Sequence, residues 1–165
     1  MRQVVCAPPA IEIAAYVRSI ADGGLVVADP SRALCEHFGY QTLYEIPRDL
    51  QKRLRRQLMQ EHAEALEAHP DAVFDHSILT WLADWMRWLW GDTPAEEWEA
   101  ILREARPAIA LSERIHHVAR GNTAGYDGYR WLDARNADQI ERLLRSLYVE
   151  FDCQDRVILV ERSGP

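Results

Sequence analysis

The stretch Gln3-Val4-Val5-Cys6-Ala7-Pro8-Pro9-Ala10-Ile11-Glu12-Ile13-Ala14 passes from a β-branched apolar run into a proline pair and then into a helical pattern. A continuous apolar run that ends at a breaker predicts a buried strand. Proline in a first helical turn is harmless, because the N–H it lacks has no intrahelical partner there. The reading is strand, corner, helix, with the helix running from about Pro9 to Ala21. The same alternation then repeats along the chain. Asp22-Gly23-Gly24 stops the helix, and Leu25-Val26-Val27-Ala28 predicts a second buried strand that ends at Asp29-Pro30. Ser31 is placed as the N-cap of a short helix over Arg32 to His37, closed by Gly39.

Farther on, Pro47 opens a long polar helix from Arg48 to about Ala68, which His69-Pro70 terminates. Ala72-Val73-Phe74 predicts a third strand that delivers Asp75-His76-Ser77 at its carboxyl end, with Ser77 placed to cap the next helix. That Trp-rich helix runs from Ile78 to Trp90 and stops at Gly91, and Thr93-Pro94-Ala95-Glu96 opens another through about Arg106. Arg114 to Val118 predicts a fourth strand, Asn136 to Phe151 a final helix, and Arg156 to Glu161 a fifth strand. Strands separated by helical crossovers predict an α/β fold: a three-layer sandwich with a mostly parallel sheet of about five strands and helices on both faces. The first two apolar runs are expected side by side in that sheet. With 165 residues and 19.0 kDa, the chain fits one domain spanning 1–165.

Composition narrows the function classes. The 19 basic against 26 acidic residues give a net charge of −7 and no long Lys/Arg run, which argues against a sequence-blind nucleic-acid binder. Three widely spaced cysteines, Cys6, Cys35 and Cys153, with no C-x-x-C pair, fit neither a disulfide scaffold nor a thiolate zinc site. The expectation is a cytoplasmic protein without a metal centre. Ile78 to Trp90, the most apolar segment, holds Asp84 and Arg87 and is shorter than the ~20 residues a bilayer requires, so no membrane partner is expected.

In a parallel sheet of this kind ligands sit beyond the carboxyl ends of the strands. Three short motifs fall there: Asp29-Pro30-Ser31-Arg32 after the second strand, Asp75-His76-Ser77 after the third, and Asp127-Gly128-Tyr129-Arg130 near the end of the long loop. In order and spacing they resemble the P-loop nucleoside and nucleotide kinase group, especially its ribosylnicotinamide-kinase-like and thymidylate-kinase-like ATPase domains, over nearly the whole chain. The resemblance implies a lid-like segment at about 119–136, with Arg120, Asp127, Arg130 and Arg135 facing phosphates. It also implies Asp75, Asp29 and Arg32 as the catalytic and acceptor-binding residues of an active enzyme. Read locally, Asp29 and Arg32 cap and pair within their own helix, Asp75-His76-Ser77 is a strand-end turn, and Asp127-Gly128 is a turn with Arg130 solvated.

The first corner departs from that family. A P-loop reads G-x-x-x-x-G-K-[S/T]: its amides cradle phosphates, its Lys reaches the β/γ-phosphates and its hydroxyl holds Mg²⁺. Here Ala7, Pro8, Pro9, Ala10, Glu12, Ile13 and Ala14 occupy the equivalent loop, with Ala7 at the first Gly, Glu12 at the last Gly, Ile13 at the Lys and Ala14 at the hydroxyl position. Charge-assisted hydrogen bonds contribute roughly 1.5–3 kcal/mol each, so losing them weakens triphosphate binding by orders of magnitude. A carboxylate at Glu12 also supplies the negative charge that a helix N-terminus otherwise takes from a bound anion.

Other side chains carry competing readings. Trp81, Trp85 and Trp88 share one face of the aromatic helix, with Trp90 at its end; they read as core or, together, as an interface with a protein partner or a second copy. His116 and His117 adjoin on a strand and point to opposite faces, one expected buried and one wet. His62 and His69 lie among Glu61, Glu64 and Glu67 on what reads as a solvated surface. Cys6 reads as a small buried hydrophobe. The functional expectation is a catalytically impaired P-loop kinase-like protein, a pseudo-NTPase acting as a binding or regulatory partner without a cofactor. Two alternatives stay open: an active small-molecule or nucleoside kinase or NTPase using ATP and Mg²⁺ through an atypical loop, and a sensor of a nucleoside-like ligand in the acceptor pocket.

Overall fold

A strand whose side chains are apolar on both faces has to sit inside a sheet, and β1 (Gln3–Cys6), with Val4, Val5 and Cys6 all buried, takes that place. In the computed structural model, which describes residues 1–8, 13–41, 45–119 and 134–160, β1 pairs in parallel with β3 (Val73–Phe74) on one side and β4 (Arg114–Val118) on the other. β2 (Val26–Val27) and β5 (Val157–Val160) form the edges, and the five strands run in the order β2-β3-β1-β4-β5. This corrects the expected adjacency of the first two apolar runs, since β3 lies between them. The reason is legible in exposure: Leu25 is 52% and Val26 37% exposed, tolerable on an edge, whereas Val4 at 1% and Val5 at 0% need neighbours on both sides. β2 is accordingly a two-residue edge strand and not a buried one.

Alternation along the strands divides the core. Val5, Val73 and Val118 face α1 (Ala14–Ala21), where they pack with Val17. Val4, Cys6, Phe74 and Ile115 face the opposite layer, built from α3 (Arg48–Ala68), α4 (Ile78–Trp88), α5 (Ala95–Leu111) and α6 (Ala134–Glu150). Helices therefore cover both faces of a parallel sheet, as the strand–helix alternation predicts.

Local chemistry sets the element ends. α1 closes where Asp22 and Gly23 take positive φ of 46° and 80°, a conformation glycine adopts without strain. α2 (Ser31–His37) begins at Ser31 itself, and the cap is supplied by Asp29, whose Oδ1 accepts the Ser31 N–H at 2.8 Å. That corrects the assignment of Ser31 as N-cap. Ser77 does cap α4, accepting the Thr80 N–H at 3.3 Å. The α-helix stops at Trp88, and Trp90–Asp92 continues as a 3₁₀ turn.

α5 runs past the expected stop at Arg106 and carries Pro107 within it. Pro107 is exposed, and the residues beyond it, Ala108 and Ile109, are buried. Their burial offsets the lost ladder bond. The carbonyls that end α5 are then collected from a distance: Arg156 Nη1 donates to Ile109, Ala110 and Ser112 oxygens at 3.1, 3.2 and 2.7 Å. α6 starts at Ala134 and not Asn136. Among the described residues, no helix is long and apolar enough to cross a membrane.

Candidate functional site

The carboxyl ends of β3, β1 and β4 deliver three polar groups to the α3–α6 side of the sheet. After β3 come Asp75 and His76. His76 is 5% exposed, and its Nδ1 lies 2.9 Å from Asp75 Oδ1 while its Nε2 lies 2.9 Å from Nδ1 of His62 on α3. His62 is itself 4% exposed and is walled by Phe74 and Trp81, with ring centroids at 5.0 and 5.5 Å. Burial, with His76 adding to it, holds the His62 pKa well below its ordinary value, so His62 is neutral at pH 7. A carboxylate only accepts, so His76 Nδ1–H donates to Asp75, and across the second contact one ring nitrogen donates while the other accepts. The chain of three ends at Asp75, whose side chain is 27% exposed.

At the end of β1, Cys6 is fully buried with Sγ 2.8 Å from Ser77 Oγ. Burial pushes its thiol up to about 11, so it remains protonated and is no nucleophile. From β4, His117 reaches Tyr148 of α6, Nδ1 to hydroxyl 2.6 Å, on this same face. His116 turns to the other face, between the Tyr16 hydroxyl at 2.6 Å and Gln3 Oε1 at 2.9 Å. Both imidazoles are buried, which corrects the expectation of one wet histidine; each has a hydrogen-bonding partner on its own face. Burial lowers the pKa of both.

The remaining sequence-derived residues scatter. Asp29 spends its carboxylate on the α2 cap, and Arg32 lies exposed on α2. At the corner after β1, Ala7 and Pro8 are followed by Ile13, whose side chain packs into the apolar cluster of Val5, Val17, Val73 and Val118, and by exposed Ala14 at the start of α1. Pro9, Ala10 and Glu12 lie outside the described residues, as do Arg120, Asp127 and Arg130 of the lid-like stretch. Arg135 stands exposed in the first turn of α6. Trp81 and Trp85 are 4% and 0% exposed and belong to the core, so a partner cannot touch them; this corrects their assignment to an interface. Trp88 is half-buried beneath the Arg87 guanidinium at 4.3 Å, and Trp90, 52% exposed, meets Trp98 edge-on at 5.3 Å.

The residue that sequence reading missed is His62, placed there on a solvated face. Its signal was spacing: Leu58 and Leu66 lie four residues to either side, so all three share the buried stripe of α3. Among the described residues, no group of three or more His, Cys, Asp or Glu side chains is arranged to hold a metal ion.

No family model matches this sequence, and no curated protein matches it. Solved structures do match in shape. NadR protein in complex with NAD and AMP-PNP superposes with a TM-score of 0.71 at 14% identity, covering 99% of this chain and 45% of that one. NadR in complex with NR superposes with a TM-score of 0.72 at 16% identity, covering 99% of this chain and 44% of that one. The fold, a five-stranded parallel sheet with helices on both faces, is the one these NadR structures share. The chain spans less than half the length of the NadR chains it resembles.

Proposed function

We propose that this chain keeps the kinase-like scaffold as a binding or regulatory domain and does not transfer phosphoryl groups. The observation that carries the reading is the position of Ile13. In the family's loop this position belongs to the lysine that reaches the β- and γ-phosphates; here its side chain packs among Val5, Val17, Val73 and Val118 under the sheet. An apolar side chain turned into the core supplies no charge to a triphosphate, and Ala14 supplies no hydroxyl to Mg²⁺. Asp29, engaged in capping α2, leaves the acceptor side weakened as well. A contact with a protein partner or a second copy falls at the far end of α4, where Trp90 is exposed.

The test is calorimetric titration with Mg-ATP and with Mg-GTP. The expected result is no binding in the micromolar range for either, and micromolar affinity for one of them overturns the reading. A second reading rests on Asp75, whose part-exposed carboxylate is oriented by His76 and His62. It supports a sensor of a hydroxyl-bearing, nucleoside-like ligand. A thermal-shift series of nucleosides against nucleotides separates the two: stabilisation by nucleosides alone supports the sensor.

A further inference from the structure

The guanidinium of Arg55, on α3, is fully buried and only partly used. Its Nη1 donates to Asp84 Oδ2 at 3.0 Å, whereas Nε and Nη2 are enclosed without a hydrogen-bond partner among the described residues. These two donors form the side edge of the guanidinium, the parallel pair that grips both oxygens of a carboxylate or phosphate. Leaving a buried charged donor unmade is costly, and burying two together is costlier still. Asp84 is the carboxylate paired with Arg55, and it reaches only Nη1.

One turn before Arg55, Gln51 has its amide nitrogen committed to Ile46 O at 2.7 Å and its Oε1 buried and unpaired. Residues four apart share a helix face. A ligand that satisfies both therefore offers two oxygens to the fork and one hydroxyl proton to Gln51. Hydrogen phosphate or a phosphate monoester has that pattern; a plain carboxylate lacks the proton donor.

The location suits a ligand. His62 touches His76 at the carboxyl edge of the sheet, and α3 leads down from there into β3. Arg55, seven residues earlier, stands about 10 Å farther out along the helix at 1.5 Å per residue. It lies on the α3–α6 side of the sheet, the face opposite the cluster in which Ile13 packs.

The geometry points to Arg55 as the anchor of a phosphate-type oxyanion site, oriented by Asp84 and assisted by Gln51. This site is separate from the loop at Ile13 and stands whether or not that loop binds nucleotide.

The test uses inorganic phosphate as probe, with acetate and chloride at matched ionic strength. Phosphate is expected to raise Tm saturably, by roughly 3–6 °C at ten times its dissociation constant, and to shift one arginine Nε–H resonance that is missing in Arg55→Lys. Arg55→Lys keeps the charge but not the fork, and loses both effects. Asp84→Asn keeps the fork, lowers the Tm without phosphate and enlarges the phosphate-dependent rise. Ile13→Lys leaves the Arg55 resonance shift in place, so failure of the nucleotide reading and failure of this one are distinguishable. An equal rise with acetate shifts the ligand class to carboxylates and overturns the role given to Gln51. No saturable response to either anion, or one unchanged in Arg55→Lys, overturns the site and leaves the fork to an internal water.

Discussion

His62 Nδ1 and His76 Nε2 lie 2.9 Å apart in a buried contact that joins the middle of α3 to the turn after β3. The contact requires one ring to donate and the other to accept, so it exists only while the pair carries a single proton between the two atoms. A second proton on that contact breaks it and places charge among Phe74 and Trp81.

Stability is expected to depend on pH below neutrality. His62, His116 and His117 all have folded-state pKa values held below the ordinary 6.5 by burial. The unfolded chain therefore binds more protons than the folded one in the window beneath 6.5, and unfolding free energy rises with pH there. Stability is complete above about pH 6.5 and is lost as pH falls toward the depressed folded values. Urea unfolding from pH 8 to pH 5 checks this. His62→Leu lowers stability at pH 7 and makes the slope shallower; an unchanged slope assigns the dependence to His116 and His117.

Installing phosphate-loop residues tests what the first corner permits. Replacing Glu12 by Gly, Ile13 by Lys and Ala14 by Thr supplies the glycine, ammonium and hydroxyl of a phosphate loop. Calorimetry is expected to show a gain in Mg-ATP affinity of at least tenfold. Ile13→Lys alone is expected to lower stability by about 1–3 kcal/mol, because it removes a part-buried apolar contact with Val5 and Val17.

Arg156 ties the start of β5 to the end of α5 through three carbonyl oxygens. Arg156→Ala leaves those carbonyls without their charged donor, and a loss of about 1.5–3 kcal/mol is expected in denaturant titration. Arg156→Lys is expected to recover part of it, since all three contacts come from the single nitrogen Nη1 and an ammonium also carries three N–H donors.

The tryptophans are expected to divide by position. Trp85 is fully buried and its Nε1–H donates to Thr93 Oγ1 at 2.9 Å, so Trp85→Ala costs about 3–5 kcal/mol. Trp90, half exposed, is expected to change stability by less than about 0.5 kcal/mol when replaced by Ala. Light scattering on Trp90→Ala then reads association separately from folding: a change in mass with unchanged stability places Trp90 in a contact between chains.

The alternation of apolar runs with helical stretches made the layered parallel sheet legible, and α3 was read to its observed ends because Pro47 and His69-Pro70 are local stop signals. Cys6 as a buried hydrophobe and Ser77 as a cap were legible for the same reason, since each depends on its immediate neighbours. Strand neighbourhood was not. Nothing within Leu25 to Ala28 records that β3 will separate it from β1, because pairing partners are chosen by which strand most needs to be enclosed. α5 was read only to about Arg106 and continues through Pro107, whose local penalty is outweighed by tertiary burial of Ala108 and Ile109.

What the amino-acid order determined by itself was the fold class, since the alternation of apolar runs with helical stretches is written along the chain. What only the tertiary structure decided was which polar groups meet. His62 and His76 are fourteen positions apart and Arg55 and Asp84 twenty-nine. Hydrogen bonds reach about 3 Å, and only the packing of α3 against α4 and the turn after β3 brings such distant residues within that range.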